Sequence, residues 1–179
     1  TGAELRIAEG ARLLAAKQAG LNTIEAPVVW SLHEPREGHF TFEGDLDLPH
    51  FLRLIGDLGM HAILRVGPYV GDGYDLGGLP PWLVPAVDRQ VRGANPQFLQ
   101  ACSKFIAKLG AEIADFQVTR RPRKGADGPI VLIHPEHEWF CSHDATAEAY
   151  LAEIDRFLRE NNINVPLINT NNLYQSVEG

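Results

Sequence analysis

Three ionisable side chains spaced two apart, His134, Glu136 and Glu138, follow directly on the apolar run Ile130-Val131-Leu132-Ile133. Along an extended chain, side chains two apart lie on the same side. The sequence therefore predicts Glu136 and Glu138 close together, each charge disfavouring ionisation of the other. A carboxylic acid held protonated in this way can serve as a general acid, and its conjugate base can then take a proton back. Glu138 is the candidate for that role. Acidic and His residues just past a strand also occur as solvated loop residues and helix caps, so the choice depends on the elements that carry them.

Those elements alternate. Glu4 to Gln18 reads as an amphipathic helix with Ile7, Ala11, Leu14 and Ala15 at helical spacing and Gly20 as its stop. A strand is expected from Leu21 to Trp30, with an irregular end at Pro27, which has no amide N–H to give a ladder. A helix from about Leu46 to Leu58 should bury Leu48, Phe51, Leu52, Ile55 and Leu58 before Gly59, followed by a strand from Ala62 to Val66. Asn95-Pro96 reads as an N-cap with Pro at the first helical position, opening a helix through Phe98, Cys102, Phe105, Ile106, Leu109 and Ile113. The run Ile130–Ile133 suits a strand buried on both faces of a parallel sheet. Asp144 is placed to cap a last helix carrying Tyr150, Leu151, Ile154, Phe157 and Leu158, and Val165 to Asn169 gives a fourth strand. Strands each preceded by a helix argue for parallel pairing through right-handed crossovers. The phosphate-cradling glycine turn of a doubly wound nucleotide-binding sheet is missing from the first strands. Gly67 to Asn95 is a long connection rich in Gly and Pro, of the kind that shapes a pocket.

At 45% hydrophobic and 22% charged residues, the composition is that of a soluble globular protein. A net charge of −7 and a pI near 5.4 argue against a nucleic-acid partner. The one basic cluster, Arg120-Arg121-Pro122-Arg123-Lys124, reads as a solvated loop. No apolar run of membrane-spanning length, signal peptide or low-complexity stretch occurs, and no membrane partner is expected. Compartment is left open, secretion or a periplasmic site included. Cys102 and Cys141 lack metal-type spacing and fix no redox compartment.

Three ordered motifs carry a resemblance. The first is Gly20-Leu21-Asn22-Thr23-Ile24-Glu25 followed by Trp30-Ser31-Leu32-His33-Glu34-Pro35-Arg36-Glu37-Gly38-His39-Phe40. The second is Ile63-Leu64-Arg65-Val66-Gly67-Pro68-Tyr69-Val70 with Gly77-Gly78-Leu79-Pro80-Pro81-Trp82-Leu83, and the third is Gly128-Pro129 through Glu136-His137-Glu138-Trp139. Together they resemble glycoside hydrolase family 35, the β-galactosidase family, over roughly residues 11–167. The family pattern at the third motif is Gly-Gly-Pro, apolar residues, then Gln-x-Glu-Asn-Glu-Phe/Tyr. Here Asp127, His134, His137 and Trp139 depart from it, and both glutamates stand.

The resemblance implies an α/β fold in which residues 1–179, without an internal boundary, form part of a single catalytic domain. It would be a partial TIM (β/α)8 barrel, about strands two to five with their helices. It implies a retaining glycoside hydrolase acting on terminal β-linked sugars, with Glu138 as general acid/base and a nucleophile on a later strand outside this stretch. A carbohydrate is the implied substrate, and no cofactor or metal is called for. The substrate-binding candidates are Glu136, His137, Tyr69, Asp72, Tyr74, Asp75 and Trp139. Trp30 and Trp82 are further aromatics that could face a sugar or the core. Glu34 and Arg65 are expected to be structural, as an ion pair or loop anchor.

Pro27 stands where the family has Tyr, Gly71-Asp72-Gly73 replaces Cys-Ala-Glu, and His137 replaces Asn. Each change removes a hydrogen bond to a sugar hydroxyl, at about 1–3 kcal/mol for a polar partner left unpaired, so sugar selectivity is left open. Two other classes stay in view. One is a non-catalytic carbohydrate-binding relative. The other is a metal-dependent hydrolase built on His33, His134, His137 and His143 with Glu136 or Glu138, although His134 and His137, three apart on a strand, should face opposite sides. An unclosed parallel sheet would expose apolar edges, so poor solubility is expected of the stretch by itself.

Overall fold

The computed structural model of the chain describes residues 2–120, 128–139 and 145–170. Three parallel strands, β1 (Thr23–Pro27), β2 (His61–Gly67) and β3 (Ile130–Pro135), form a sheet in the order β1-β2-β3. The register pairs Glu25 with Ile63, Pro27 with Arg65, Ile63 with Leu132 and Arg65 with His134. The expected fourth strand is present as a parallel bridge between Ile133 and Leu167. The Ile133 N–H donates to the Pro166 carbonyl at 3.1 Å, and the Ile168 N–H donates to the Ile133 carbonyl at 2.9 Å.

Helices separate the strands: α1 (Gly2–Gln18), the short α2 (Trp30–His33), α3 (Leu48–Asp57), the short α4 (Leu83–Ala86), α5 (Pro96–Ile113) and α6 (Ala145–Glu160). Their starts are chemically defined. Asp47 accepts from the His50 N–H at 2.9 Å, and Asn95 accepts from the Gln97 and Phe98 N–H groups at 3.0 Å, with Pro96 at the first helical position. The Asp144 cap, Cys141, His143 and Arg121 to Lys124 of the basic run lie outside the described residues.

Alternation along the strands divides the sheet into two faces. Ala62, Leu64, Val66 and Ile133 are buried against a core of Leu52, Ile55, Phe98, Phe105, Ile106, Leu109, Ile154 and Leu158. The opposite face carries Glu25, Ile63, Arg65, Leu132 and His134. Val131 and Leu132, on opposite faces, are only half-buried, while Ile130, Ile133, His134 and Pro135 are buried, so β3 is closed over at its ends more than at its middle. The strand from Leu21 is also shorter than expected. It ends at Pro27, and Trp30 opens α2, stacking on Phe105 at 4.9 Å and meeting Trp82 edge-on at 6.4 Å. Trp30 is fully buried and therefore belongs to the core.

In α1 the inward residues are Leu13 and Ala16, while Leu14 is 44% exposed. Leu13-Leu14-Ala15-Ala16 is apolar at every position, so periodicity alone cannot orient this turn. Among the described residues no helix is long and apolar enough to cross a membrane.

Candidate active site

Past Pro135 the chain leaves the sheet sharply. Glu136 and Glu138 both adopt left-handed backbone conformations, with φ of 40° and 48°. Such values are uncommon for non-glycine residues and persist where surrounding contacts over-determine them. The turn is held from both sides. The Glu136 N–H donates to the Gly67 carbonyl and the His137 N–H to the Tyr69 carbonyl, at 3.2 and 2.9 Å. Arg92 Nη2 donates to the His137 and Glu138 carbonyls, at 3.1 and 3.2 Å. From just past the fourth strand, Thr170 Oγ1 accepts from the Glu138 N–H at 3.1 Å, and the Thr170 carbonyl accepts from the Trp139 N–H at 3.2 Å.

The turn separates the two carboxyls that an extended chain would place together. Glu136 is directed inward and its side chain is fully enclosed. One carboxylate oxygen accepts from the Tyr150 hydroxyl at 2.7 Å and the Tyr69 N–H at 3.2 Å, and the other accepts from Arg92 Nε at 2.9 Å. Burial pushes the Glu136 carboxyl above its ordinary value, against the pull of Arg92, Tyr150 and the Tyr69 N–H. Trp139 is 2% exposed, stacks on Tyr150 at 5.3 Å between ring centres and lies 5.3 Å from the Arg92 guanidinium. Glu136 and Trp139, both expected to face a sugar, are thus built into the support beneath the site. The break in strand geometry at Glu136 is the reason.

Glu138 remains at the surface with its side chain 44% exposed, its Oε1 3.8 Å from His137 Nε2. The same turn brings His137 beside His134, ring centres 5.2 Å apart, where alternation had put them on opposite sides. Thr170 Oγ1 lies 2.9 Å from His134 Nε2 and 3.2 Å from His137 Nδ1. Glu25 Oε1 is 3.7 Å from His134 Nδ1 and accepts from Arg65 Nε and Nη2 at 3.0 and 2.7 Å. Burial lowers the proton affinity of both imidazoles; each also lies near Arg65, and His134 near His137. Burial pushes the Glu25 carboxyl up, but Arg65 and His134 together more than offset this and hold it below its ordinary value.

The connection from β2 forms the rim. Tyr69 is half-buried with Arg92 stacked 3.9 Å from its ring centre. Gly77 makes this packing possible: its φ is +66°, and a Cβ there would lie 1.9 Å from the Tyr69 ring. Asp72, Tyr74 and Asp75 are exposed. Asp72 is near enough to raise the proton affinity of His137, and a Cβ on Gly71 would come within 3.1 Å of that imidazole. Tyr74 also borders a hollow of about 540 Å³ with Pro27, His33, Asp47 and His50, to which Glu138 does not contribute.

Glu34 is a loop anchor, as expected. Its carboxylate accepts from Trp30 Nε1 at 2.6 Å and the Gly38 N–H at 2.8 Å, and its carbonyl accepts from Trp82 Nε1 at 2.9 Å. Arg65 pairs with Glu25 and, through Nη1, with the Val70 carbonyl at 2.9 Å. Among the described residues no three His, Cys, Asp or Glu side chains converge as a metal-binding set, and His33 stacks on Phe42 instead.

Sequence reasoning missed Arg92, Tyr150 and Thr170. Arg92 is one basic residue in an irregular connection, and Tyr150 reads simply as part of an apolar helix face. Thr170 had a usable signal, since it follows the fourth strand directly and residues past the C-terminal ends of parallel strands are where such folds carry their chemistry.

Comparison with known proteins places this geometry in context. The Glycosyl hydrolases family 35 profile matches residues 8–178, and the chain belongs to that family. It is 38% identical over 137 residues to a β-galactosidase of Mus musculus, covering 74% of this chain and 20% of that protein. It is 34% identical over 161 residues to β-galactosidase-1-like protein 2 of Homo sapiens, covering 90% of this chain and 24% of that protein. The chain therefore spans about a fifth to a quarter of these relatives. Among solved structures, a GH5_18 protein from Streptomyces cattleya in complex with GlcNAc superposes with a TM-score of 0.69 at 13% identity, over 93% of this chain and 39% of that one. An exo-β-1,4-mannosidase from an Opitutaceae bacterium gives 0.68 at 17% identity, over 88% and 26%. At these identities the likeness concerns the fold.

Proposed function

We propose that the chain is the part of a (β/α)8 barrel that carries the acid/base of a retaining glycoside hydrolase, acting on terminal β-linked sugars in the manner of the β-galactosidases. On this reading the three strands and the Leu167 segment are strands two to five, and residues 1–179 belong to one catalytic domain. Glu138 gives a proton to the glycosidic oxygen and later takes one from the attacking water. His137, Tyr69, Asp72, Tyr74 and Asp75 face the sugar, while Glu136 and Trp139 support them from below.

The observation that carries this is the position of Glu138. Its carboxyl is exposed at the C-terminal end of β3, on a strained turn that Arg92 and Thr170 fix from opposite sides. A retaining mechanism needs a second carboxyl roughly 5 Å away as nucleophile. Glu136 is saturated by Arg92, Tyr150 and Tyr69, and Glu25 is engaged by Arg65. Neither is available for attack, which supports a nucleophile supplied by another part of the barrel.

The test is hydrolysis of a panel of aryl and alkyl glycosides by the whole protein carrying this chain, beside its Glu138→Gln variant. General acid help is worth about 100- to 10,000-fold where the leaving group is poor and little where it is good. The variant should lose kcat/KM on alkyl glycosides and keep most of it on dinitrophenyl glycosides, where the loss falls on kcat because the second step has lost its base. The sugar that is turned over identifies the substrate. Binding of sugars without turnover by the unaltered protein would favour a carbohydrate-binding relative, for which the missing family contacts at Pro27 and Gly71 to Gly73 already argue.

A further inference from the structure

One hydroxyl, Thr170 Oγ1, lies within hydrogen-bond distance of three nitrogens: the Glu138 N–H, His134 Nε2 and His137 Nδ1. A threonine hydroxyl has one proton to give and two lone pairs to receive. The amide can only donate, so one lone pair is taken. What remains is one proton and one lone pair for two imidazole nitrogens. One of these nitrogens must therefore carry hydrogen and the other must be bare.

Glu25 selects between the two arrangements. Its carboxylate sits beside His134 Nδ1 and favours hydrogen there. Neutral His134 is then bare at Nε2 and receives the threonine proton. His137 in turn must donate from Nδ1, which leaves its Nε2 bare, and Nε2 is the atom facing the Glu138 carboxyl at 3.8 Å. Hydrogen on that atom would donate to the carboxylate and favour its ionised form, whereas a bare nitrogen does not.

Resting on the assignment of Glu138 as the acid, we propose that Thr170 fixes His137 in the tautomer whose bare Nε2 faces the Glu138 carboxyl and gives it no N–H, so that the ionised carboxylate gains no donor there and the one O–H of the acid is left for the glycosidic oxygen. His137 is a positioning residue in this scheme. The proton passes from the Glu138 carboxyl to the glycosidic oxygen as the glycosidic bond breaks, and Glu138 regains one from water in the second half. The imidazole neither gains nor loses a proton over the cycle.

The charged and titratable groups facing His137 among the described residues are Arg65, Glu138, Glu25, Asp72 and His134; those facing His134 are His137, Arg65 and Glu25. Burial lowers the proton affinity of both rings, as do His137 and Arg65 beside His134 and Arg65 beside His137, which favours the neutral forms in which the tautomer matters. At lower pH a proton on His137 converts Nε2 from acceptor to donor, and turnover falls.

The experiment reads tautomers and turnover in the whole protein carrying this chain. Nitrogen-15 NMR of the histidine rings should show His137 with hydrogen on Nδ1 and a bare Nε2, and Thr170→Val should move it to the commoner form with hydrogen on Nε2. Thr170→Val should lower kcat several-fold at constant KM, while Thr170→Ser keeps the wild-type tautomer and covers any loss of folding in the valine variant. His137→Asn, whose amide oxygen can accept but cannot titrate, should recover part of the turnover lost in His137→Ala and abolish the acidic limb of the pH profile. Hydrogen on Nε2 of His137 in the unaltered protein, or an acidic limb that persists in His137→Asn, would overturn the proposal. Failure of the acid assignment is read separately: Glu138→Gln would keep full turnover on alkyl glycosides whatever the tautomer.

Discussion

Glu136 and Glu138 are two residues apart, chemically identical, and end in opposite environments. Glu136 is surrounded by a guanidinium, a phenol and a backbone amide and is closed off beneath Tyr69 and Trp139. Glu138 is held by its backbone alone, and its carboxyl is left to solvent and to His137. On the proposed reading the two carboxyls divide the labour of one turn. The first carboxylate fixes the backbone in a left-handed conformation that has to be maintained, and the second uses the orientation so obtained.

Breaking the buried half should cost stability first. Glu136→Ala would leave the Arg92 guanidinium and the Tyr150 hydroxyl without their acceptor, and we expect a loss of about 3–5 kcal/mol in denaturant unfolding of the whole protein. Tyr150→Phe removes one hydrogen bond to a charged acceptor while keeping the ring stacked on Trp139. It should cost about 1.5–3 kcal/mol by the same measurement. Gly77→Ala drives a methyl group into the Tyr69 ring at a backbone angle that only glycine adopts freely. A loss of about 1–3 kcal/mol is expected, with Tyr69 and Arg92 displaced together. On the exposed half, Asp72→Asn should change unfolding by about 0.5 kcal/mol or less, and any effect should appear in KM.

Acidity separates the halves as well. The native proton affinities of His33, His134 and His137 lie below the ordinary histidine value of 6.5. The unfolded chain therefore binds more protons than the native one as the pH falls. The stability contributed by the neutral rings is fully present above pH 6.5 and is lost as the pH falls through the lowered native values. Thermal melts from pH 7 downward should show this decline, and His134→Gln should flatten it. A melting temperature independent of pH across that range would contradict the burial of these rings.

Much of the scaffold was legible because local chemistry decided it. Asn95-Pro96 opens α5 as read, Leu52 and Ile55 face the core, and the parallel order follows from alternating helices and strands. Glu138 stands exposed past the end of β3, but the arrangement expected around it is not the one observed. An alternation rule carries side-chain parity only while the chain stays extended, and Glu136 ends that extension. The turn that follows is held by Arg92, 44 residues from Glu136 in sequence, and by Thr170, 32 residues from Glu138. No local pattern encodes contacts of that range. For the same reason His134 and His137 meet where parity kept them apart, and Trp139 turns inward.

The central claim is that only the exposed carboxyl does chemistry, and paired variants of the whole protein test it most directly. Glu138→Gln and Glu136→Gln are compared for kcat/KM on an alkyl and a dinitrophenyl glycoside of the same sugar, with a thermal melt of each. The account predicts that Glu138→Gln melts like the unaltered protein and loses about 100-fold or more in kcat/KM on the alkyl substrate alone. Glu136→Gln should melt lower and lose activity on both substrates in equal proportion. A selective loss on the alkyl substrate in Glu136→Gln, with Glu138→Gln unaffected, would reverse the assignment of the two glutamates.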